Sequence, residues 1–170
     1  MHPEARAFVA GVAPRAGARW VVELGARDLN GTVRDLFPSA RGYTGVDLVA
    51  GPGVDVVADA ADWRPHPHDQ APDLVVCCEV LEHTPRPEAV VRNAAAMLAP
   101  GGRLLVTAAA PPRPAHSAVD GGPLQPGEHY RNVERDELGA WLRGAGLACE
   151  ALEAHPDRGD VYALARKAAR

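Results

Sequence analysis

The sequence predicts an α/β fold, with an open, doubly wound, mostly parallel sheet and an antiparallel strand near its C-terminal end. Two observations predict this fold. Short runs rich in valine and leucine recur between glycines and prolines, as in strands that are buried on both faces. Helical patterns lie between several of these runs. Because no internal repeat or linker divides the chain, we expect a single domain over residues 1–170.

Five apolar runs have the length and composition of strands. They are RWVVELG ending at Gly25, GYTGVDL ending near Asp47, GVDVVADA ending near Asp59, PDLVVCCEV beginning at Asp73 and GGRLLVTAAA beginning at Arg103. Two further segments, ACEALEAH and DVYALARKA, flank a PDRG turn sequence. They predict a terminal antiparallel pair, although the second segment is also compatible with a helix because alanine and leucine dominate its end.

Two amphipathic helices are predicted between the strands. One begins at Pro87 and ends before Gly101, and the other, ERDELGAWLRGAG, ends at Gly144 or Gly146. A shorter helix, TVRDLF, is expected between Gly31 and Pro38. The stretch 109–127 is longer than an ordinary loop, so it is expected to be either functional or disordered.

Composition narrows the choice of partner and compartment. The formal net charge of -4 disfavours a nucleic-acid or anionic-membrane surface, because either would require a basic face. No apolar run reaches the roughly 18 residues of a membrane span, and the N-terminus does not look like a signal peptide. The 3 cysteines do not form a disulfide framework. We therefore expect a cytoplasmic protein with no nucleic-acid or membrane partner.

Acidic residues stand at the ends of four predicted strands: Glu23, Asp47, Asp59 and Glu79. In an open α/β sheet, ligands bind outside the carboxyl ends of the strands. Four buried carboxylates without partners would cost several kcal/mol each, so they predict a ligand that is rich in hydrogen-bond donors.

The distance along the chain between Gly25 and Asp47 fits a nucleoside. An acid about twenty residues after a glycine turn can accept hydrogen bonds from both ribose hydroxyls. Asp47 is also compatible with a turn or helix cap. The turn itself, VVELGARDLNG, lacks the full G-x-G-x-x-G pattern of dinucleotide sites.

These motifs resemble the class I S-adenosylmethionine-dependent methyltransferases of the small-molecule type. VVELGARDLNG resembles their first motif in a less common D-x-N-G variant, and YTGVDL resembles the second. The most specific match is EVLEH followed by LAPGG, and GEHYRNVERDELGAWLRGAGL is similar to a later segment. The resemblance covers nearly the whole chain and implies a Rossmann-like sheet with S-adenosyl-L-methionine as cofactor and S-adenosyl-L-homocysteine as product.

The resemblance implies a set of cofactor-binding residues. Glu23 would meet the ammonium group, Asp47 the ribose and Asp59 the adenine amino group. Asn30 would either bind the methionine end or cap the following helix. The full expected set is Glu23, Gly25, Asn30, Gly31, Asp47, Leu48, Asp59, Ala60, Cys78 and Glu79, with Val46 and Trp63 as further apolar walls.

Methyl transfer requires a general base only when the acceptor is a weakly nucleophilic oxygen or a protonated nitrogen. Glu79, His83 and His129 are the candidate catalytic residues, and His116 is a weaker one. A helical turn would place Glu79 and His83 on one face, although His83 is also compatible with a structural role. No metal is expected, because the HPHD stretch at 66–69 is interleaved with prolines and no other ligand cluster is evident.

The sequence therefore predicts an S-adenosylmethionine-dependent methyltransferase that moves a methyl group to an oxygen, nitrogen or sulfur atom of a small-molecule acceptor. We expect a monomer or a homodimer. The alternatives are a nucleic-acid or protein methyltransferase, a non-catalytic S-adenosylmethionine-binding protein and a dinucleotide-dependent oxidoreductase. The last is disfavoured because EVLEH and APGG are not its motifs.

Overall fold

A single sheet of seven strands forms the centre of the protein, whose computed structural model describes residues 2–29 and 31–169. The strands are β1 (Trp20–Leu24), β2 (Gly42–Asp47), β3 (Val56–Val57), β4 (Leu74–Cys78), β5 (Arg103–Ala109), β6 (Leu147–His155) and β7 (Asp160–Lys167). Their order is β3-β2-β1-β4-β5-β7-β6. Strands β1 to β5 are parallel, whereas β7 runs antiparallel to both β5 and β6. The predicted fold class is confirmed, and the last segment is a strand rather than a helix.

Helices cover both faces of the sheet. α1 (Pro3–Ala16) packs against one face through Val9 and Val12. α2 (Pro87–Met97) and α3 (Arg135–Gly144) pack against the other. Because β4 is buried along its whole length, it carries the unbroken apolar sequence that the composition indicated. Among the residues described, no helix combines the length and apolarity needed to cross a membrane.

Two predicted elements are shorter than the sequence indicated. The segment after Gly31 forms only a 3-10 turn at Arg34–Leu36, because the few residues before Pro38 cannot support a cooperative α-helix. Strand β3 has only two residues, Val56–Val57. It is an edge strand that pairs with β2 alone, so little cross-strand contact extends it toward Asp59.

The order of the strands determines where a ligand can bind. The chain moves outward in one direction from β1 to β2 and β3, and in the other direction from β1 to β4 and β5. The crossover connections therefore diverge between β1 and β4, and this leaves a crevice at the carboxyl ends of the central strands. Glu23 and Asp47, near or at the ends of β1 and β2, both lie beside it.

Gly45 allows the loops around this crevice to pack closely. A Cβ atom at Gly45 would lie 2.1 Å from the carbonyl oxygen of Gly53 and 2.7 Å from the Cβ of Ala26. Both contacts are too short for any side chain. The buried position in β2 thus lets the turn after β1 and the loop before β3 meet over the strand.

Replacing Gly45 by alanine should destabilise the protein by about 2–3 kcal/mol, because backbone atoms must move to admit the methyl group. Gly11→Ala is the matched control, because a Cβ at this helical position in α1 meets nothing within 4 Å. It should stabilise the protein by about 0.5–1 kcal/mol. Urea midpoints measure both effects, and an unchanged midpoint for Gly45→Ala would show that the close packing is not required.

Candidate active site

A cavity of about 980 Å³ opens at the carboxyl ends of β1, β2 and β4. It contains most of the residues that the sequence singled out: Glu23, Gly25, Gly31, Asp47, Leu48, Asp59, Ala60, Cys78, Glu79 and His83. The four acids at or near the strand ends thus meet in one site. Val46 and Trp63 belong instead to the apolar core and its edge. Asn30 lies outside the described residues.

Glu23 is a nearly buried carboxyl group with one polar partner. It is 3% exposed, and its Oε2 accepts a hydrogen bond of 2.7 Å from the hydroxyl of Tyr43. Burial raises the pKa of Glu23 to about 7, and the Tyr43 hydrogen bond and the charge of Arg34 offset only part of that effect. The cavity therefore holds an acid whose charged form is under-stabilised, and a cation placed beside it would satisfy it.

Arg34 holds Tyr43, the hydrogen-bond partner of Glu23, in position. Its guanidinium lies 4.7 Å from the centre of the Tyr43 ring, donates to the Tyr43 carbonyl at 3.0 Å and to Asp55 at 2.7 Å. Tyr43 is thereby held in the orientation that serves Glu23. The sequence did not identify Tyr43 or Arg34 as site residues, because the contact depends on the register between β1 and β2.

The glycine turn after β1 serves backbone packing. Gly25 has φ +80°, and a Cβ there would lie 2.2 Å from Cγ2 of Val80. The Gly25 and Ala26 amides both donate to the carbonyl of Val46. The Gly31 amide donates to the Asp28 side chain at 2.8 Å. The amides of Gly25, Ala26 and Gly31 therefore already have acceptors within the chain.

Asp47 makes hydrogen bonds that order the backbone, and its side chain also faces the cavity. Its Oδ2 accepts from the amide of Arg27 at 3.1 Å, and its Oδ1 accepts from the amide of Val49 at 3.0 Å. Each oxygen has a second lone pair, and the side chain lines the cavity. The two amide bonds fix the carboxylate in place, so the cap and ribose interpretations are compatible with each other.

Asp59, which also lines the cavity, is held in place by Arg86. Its Oδ1 caps the amide of Ala61 at 2.8 Å, and its Oδ2 lies 2.7 Å from the Arg86 guanidinium. Arg86 also donates to Asp62. This ion pair connects the loop after β3 to the loop before α2, and its members are well exposed, so it contributes orientation more than stability.

Glu79 adopts a conformation that is rare for a residue with a side chain. Its φ is +56°, so the chain turns sharply at the end of β4, before the 3-10 turn at Leu81–His83. Glu79 lies outside that turn, which corrects the expectation of a helical face shared with His83. Its Oε1 accepts from the hydroxyl of Thr107 at 2.9 Å. Such strain is typical of functional sites.

The irregular segment between β5 and α3, residues 110–134, forms the cover segment of the cavity. Its residues 113–123 contribute to the cavity wall. Arg113 anchors it by pairing with the buried Asp160 and by donating to the carbonyls of Arg158 and Gly159. Farther along, the hydroxyl of Ser117 donates to Glu128 at 2.9 Å. The segment is therefore held in place by contacts within the chain and forms part of the cavity wall.

Three rings meet where the cover segment reaches the EVLEH turn. The ring of His116 lies 5.1 Å from that of His83 and 4.8 Å from that of Tyr130. Burial lowers the pKa of His83 to about 4, so its imidazole is uncharged at neutral pH. His129 does not line the cavity, and its Nε2 is buried without a partner among the described residues.

The comparison with protein families matches residues 13–152 to a family described as a methyltransferase domain. Among curated proteins, the chain is similar to the ubiquinone biosynthesis O-methyltransferase of Xanthomonas euvesicatoria, with 43% identity over 46% of this chain and 36% of that protein. The corresponding protein of Saccharophagus degradans is 32% identical over 62% of this chain and 48% of its own length. The chain therefore spans less than half the length of either relative.

Solved structures share the fold at low sequence identity. The 1,6-didemethyltoxoflavin-N1-methyltransferase of Burkholderia thailandensis has a TM-score of 0.70 and 20% identity, over 98% of this chain and 77% of that one. The cyclase SpnF has a TM-score of 0.71 and 17% identity, over 98% of this chain and 82% of that one. Since these two structures differ in their reactions, their similarity confirms the architecture only.

The Glu23→Gln variant should be more stable than the wild type at high pH. The folded state raises the pKa of Glu23 from 4.5 to about 7, so it holds this proton more tightly than the unfolded state does. Stability from this group is therefore lost as pH rises from about 4.5 to 7. Glutamine removes the loss, which amounts to about 3 kcal/mol at pH 8. Urea unfolding of both proteins at pH 5 and pH 8 measures it. A difference that does not grow with pH would contradict the raised pKa.

Proposed function

Because the chain belongs to the family of methyltransferase domains, we propose that it uses S-adenosyl-L-methionine to methylate an oxygen, nitrogen or sulfur atom of a small molecule. S-adenosyl-L-homocysteine is the product. The observation that carries the proposal is the cavity in which Glu23, Asp47, Asp59 and Glu79 converge. A cofactor with an ammonium group, a ribose diol and an adenine offers each of these acids a donor.

The cofactor fits Glu23 in particular. This carboxyl group faces the cavity and has no ion-pair partner among the described residues, while burial holds its pKa near 7. An ammonium group beside it would restore the charged form of the acid. Tyr43 holds the carboxylate in place from the opposite side.

The remaining contacts follow the wall of the cavity. Asp47 would accept from the ribose hydroxyls, and Leu48, which is 67% exposed, would offer an apolar surface to the base. Asp59 and the backbone of Ala60 would meet the adenine edge. Gly25, Gly31 and Cys78 line the same cavity. We also propose that Asn30 contacts the methionine end of the cofactor.

When it is bound, the cofactor supplies a methyl group on a positively charged sulfur, so the protein's task is mainly to orient the reactants. The cover segment closes the cavity over the acceptor and excludes water. For a hydroxyl acceptor, the Glu79 carboxylate or the uncharged His83 accepts the proton. His129 does not line the cavity, so we assign it no direct part in this step.

A small-molecule acceptor is supported by the O-methyltransferase relatives and by the cavity volume of about 980 Å³. Residues 113–123 of the cover segment form one wall of this cavity and narrow the space beside the cofactor, whereas a polynucleotide or a protein substrate would need an open groove. The formal net charge of -4 also disfavours a nucleic-acid substrate. We further propose that the protein is cytoplasmic and acts as a monomer or homodimer.

Asp47→Asn should weaken binding of S-adenosyl-L-homocysteine by about 10- to 100-fold, because the ribose loses a charged acceptor. The control is Asp69→Asn, whose carboxylate likewise caps a backbone amide, that of His66, but lies in an exposed turn. Calorimetry measures both affinities. Equal affinities for the two variants would remove Asp47 from the ribose site.

The same preparations, incubated with methyl-labelled cofactor and a panel of phenols, amines and thiols, test the reaction itself. We expect transfer to at least one class and its loss in Asp47→Asn at low cofactor concentration. Binding of a nicotinamide dinucleotide, with no binding of either methionine-derived nucleoside, would overturn the proposal.

A further inference from the structure

Glu82, the second acid of the EVLEH turn, is not used by the proposed reaction. It is fully buried, and its Oε1 accepts from the amide of Ala109 at 3.0 Å. Its Oε2 has no hydrogen-bond partner among the described residues. A buried carboxylate oxygen without a partner is costly, so this atom is expected to have a ligand that the chain itself does not supply.

Two imidazoles direct ring nitrogens toward the same point. Glu82, His83 and His116 each offer one donor atom, and these atoms lie within 4.8 Å of one another. The Nδ1 atom of His83 is buried and, within residues 2–29 and 31–169, has no partner. We name this set the imidazole cluster.

The tautomer of His116 is that of a metal ligand. Nδ1–H of His116 donates to the carbonyl of Pro114 at 3.1 Å, because a carbonyl can only accept, and this leaves the lone pair on Nε2. The buried Nδ1 of His83 has no hydrogen-bond partner among the described residues, so it too is free to act as a ligand atom. Histidine ligands in proteins usually donate their second ring N–H to a carbonyl in this manner.

The charged groups nearest the imidazole cluster have partners elsewhere, so they do not block a cation from binding there. Arg113, the nearby cation, is committed to Asp160. Glu79 lies close but accepts from Thr107, so it adds negative potential without being required as a ligand. The ring of Tyr130 packs edge-on against both imidazoles and restricts their rotation.

We propose that Glu82, His83 and His116 bind one divalent transition-metal ion at the wall of the cavity. Two imidazoles and one carboxylate suit Zn²⁺, Co²⁺ or Fe²⁺ better than Mg²⁺, which prefers oxygen ligands. Bonds of about 2.0–2.2 Å hold donor atoms about 3–3.5 Å apart. The donor atoms of the cluster, which lie within 4.8 Å of one another, therefore approach by up to about 1.5 Å when the ion binds. His116, which lies outside regular secondary structure, makes this movement.

The ion would connect two parts of the chain. Glu82 and His83 belong to the turn after β4, whereas His116 belongs to the cover segment. Metal binding thus fastens the cover segment over the cavity and leaves coordination positions for an oxygen of the acceptor. With Nδ1 of His83 occupied, Glu79 alone would accept a proton from that acceptor.

Titration of the chelator-treated full chain with Zn²⁺ and Co²⁺ tests the site without cofactor or acceptor, so its outcome is independent of the proposed reaction. We expect one equivalent bound, with a Co²⁺ spectrum of nitrogen and oxygen ligands and no thiolate band. His116→Ala should weaken binding more than about tenfold, since loss of supporting groups alone produces such effects. Glu82→Gln should do the same.

The double variant His66→Ala/His68→Ala is the control, because these two rings lie in the exposed HPHD turn and not in the cluster. It should bind the metal as the wild type does. No binding by the wild type, equal affinity in the wild type and His116→Ala, or binding lost only in the control would each overturn the proposal. His116→Ala keeps the test decisive if Glu82→Gln does not fold.

Discussion

The site depends on one under-stabilised charge, the buried carboxyl group of Glu23. Strand β1 places it at the centre of the sheet, where it is 3% exposed and has the neutral Tyr43 hydroxyl as its hydrogen-bond partner. Burial raises the pKa of Glu23 to about 7, so the acid is half protonated near neutrality. A protein that needed only stability would place an apolar residue there. A cation beside Glu23 would offset the cost of burying its charged form, and this is the physical basis of its proposed contact with the ammonium group of the cofactor.

The rest of the site is arranged around this charge. Arg34, from the 3-10 turn after β1, orients Tyr43 of β2, and Gly45 lets the neighbouring loops pack closely over that strand. Asp47 is fixed by two backbone amides, and Asp59 by Arg86. Polar groups that face the cavity are thus held by partners behind them, so they are positioned before a ligand arrives.

Much of this could be predicted from the sequence because it follows the chain locally. The acids stand at or near the ends of apolar runs, and the topology of a parallel sheet brings those ends together. Contacts across the sheet could not be predicted in the same way. The Tyr43–Glu23 bond depends on strand register, and the imidazole cluster depends on the path of the cover segment, which no periodicity defines. His129 illustrates the limit, since its neighbour Tyr130 packs against the cluster while its own ring does not reach the cavity.

The same fold carries methyltransferases and a cyclase, so activity depends on the site rather than on the architecture. The most direct test of the account is the number of protons released when S-adenosyl-L-homocysteine binds, measured by calorimetry at pH 6.5 in buffers of different ionisation enthalpy. With the pKa of Glu23 near 7, the wild type should release about 0.7 of a proton more than Glu23→Gln. Equal proton release by the two proteins would show that the cofactor ammonium does not bind Glu23.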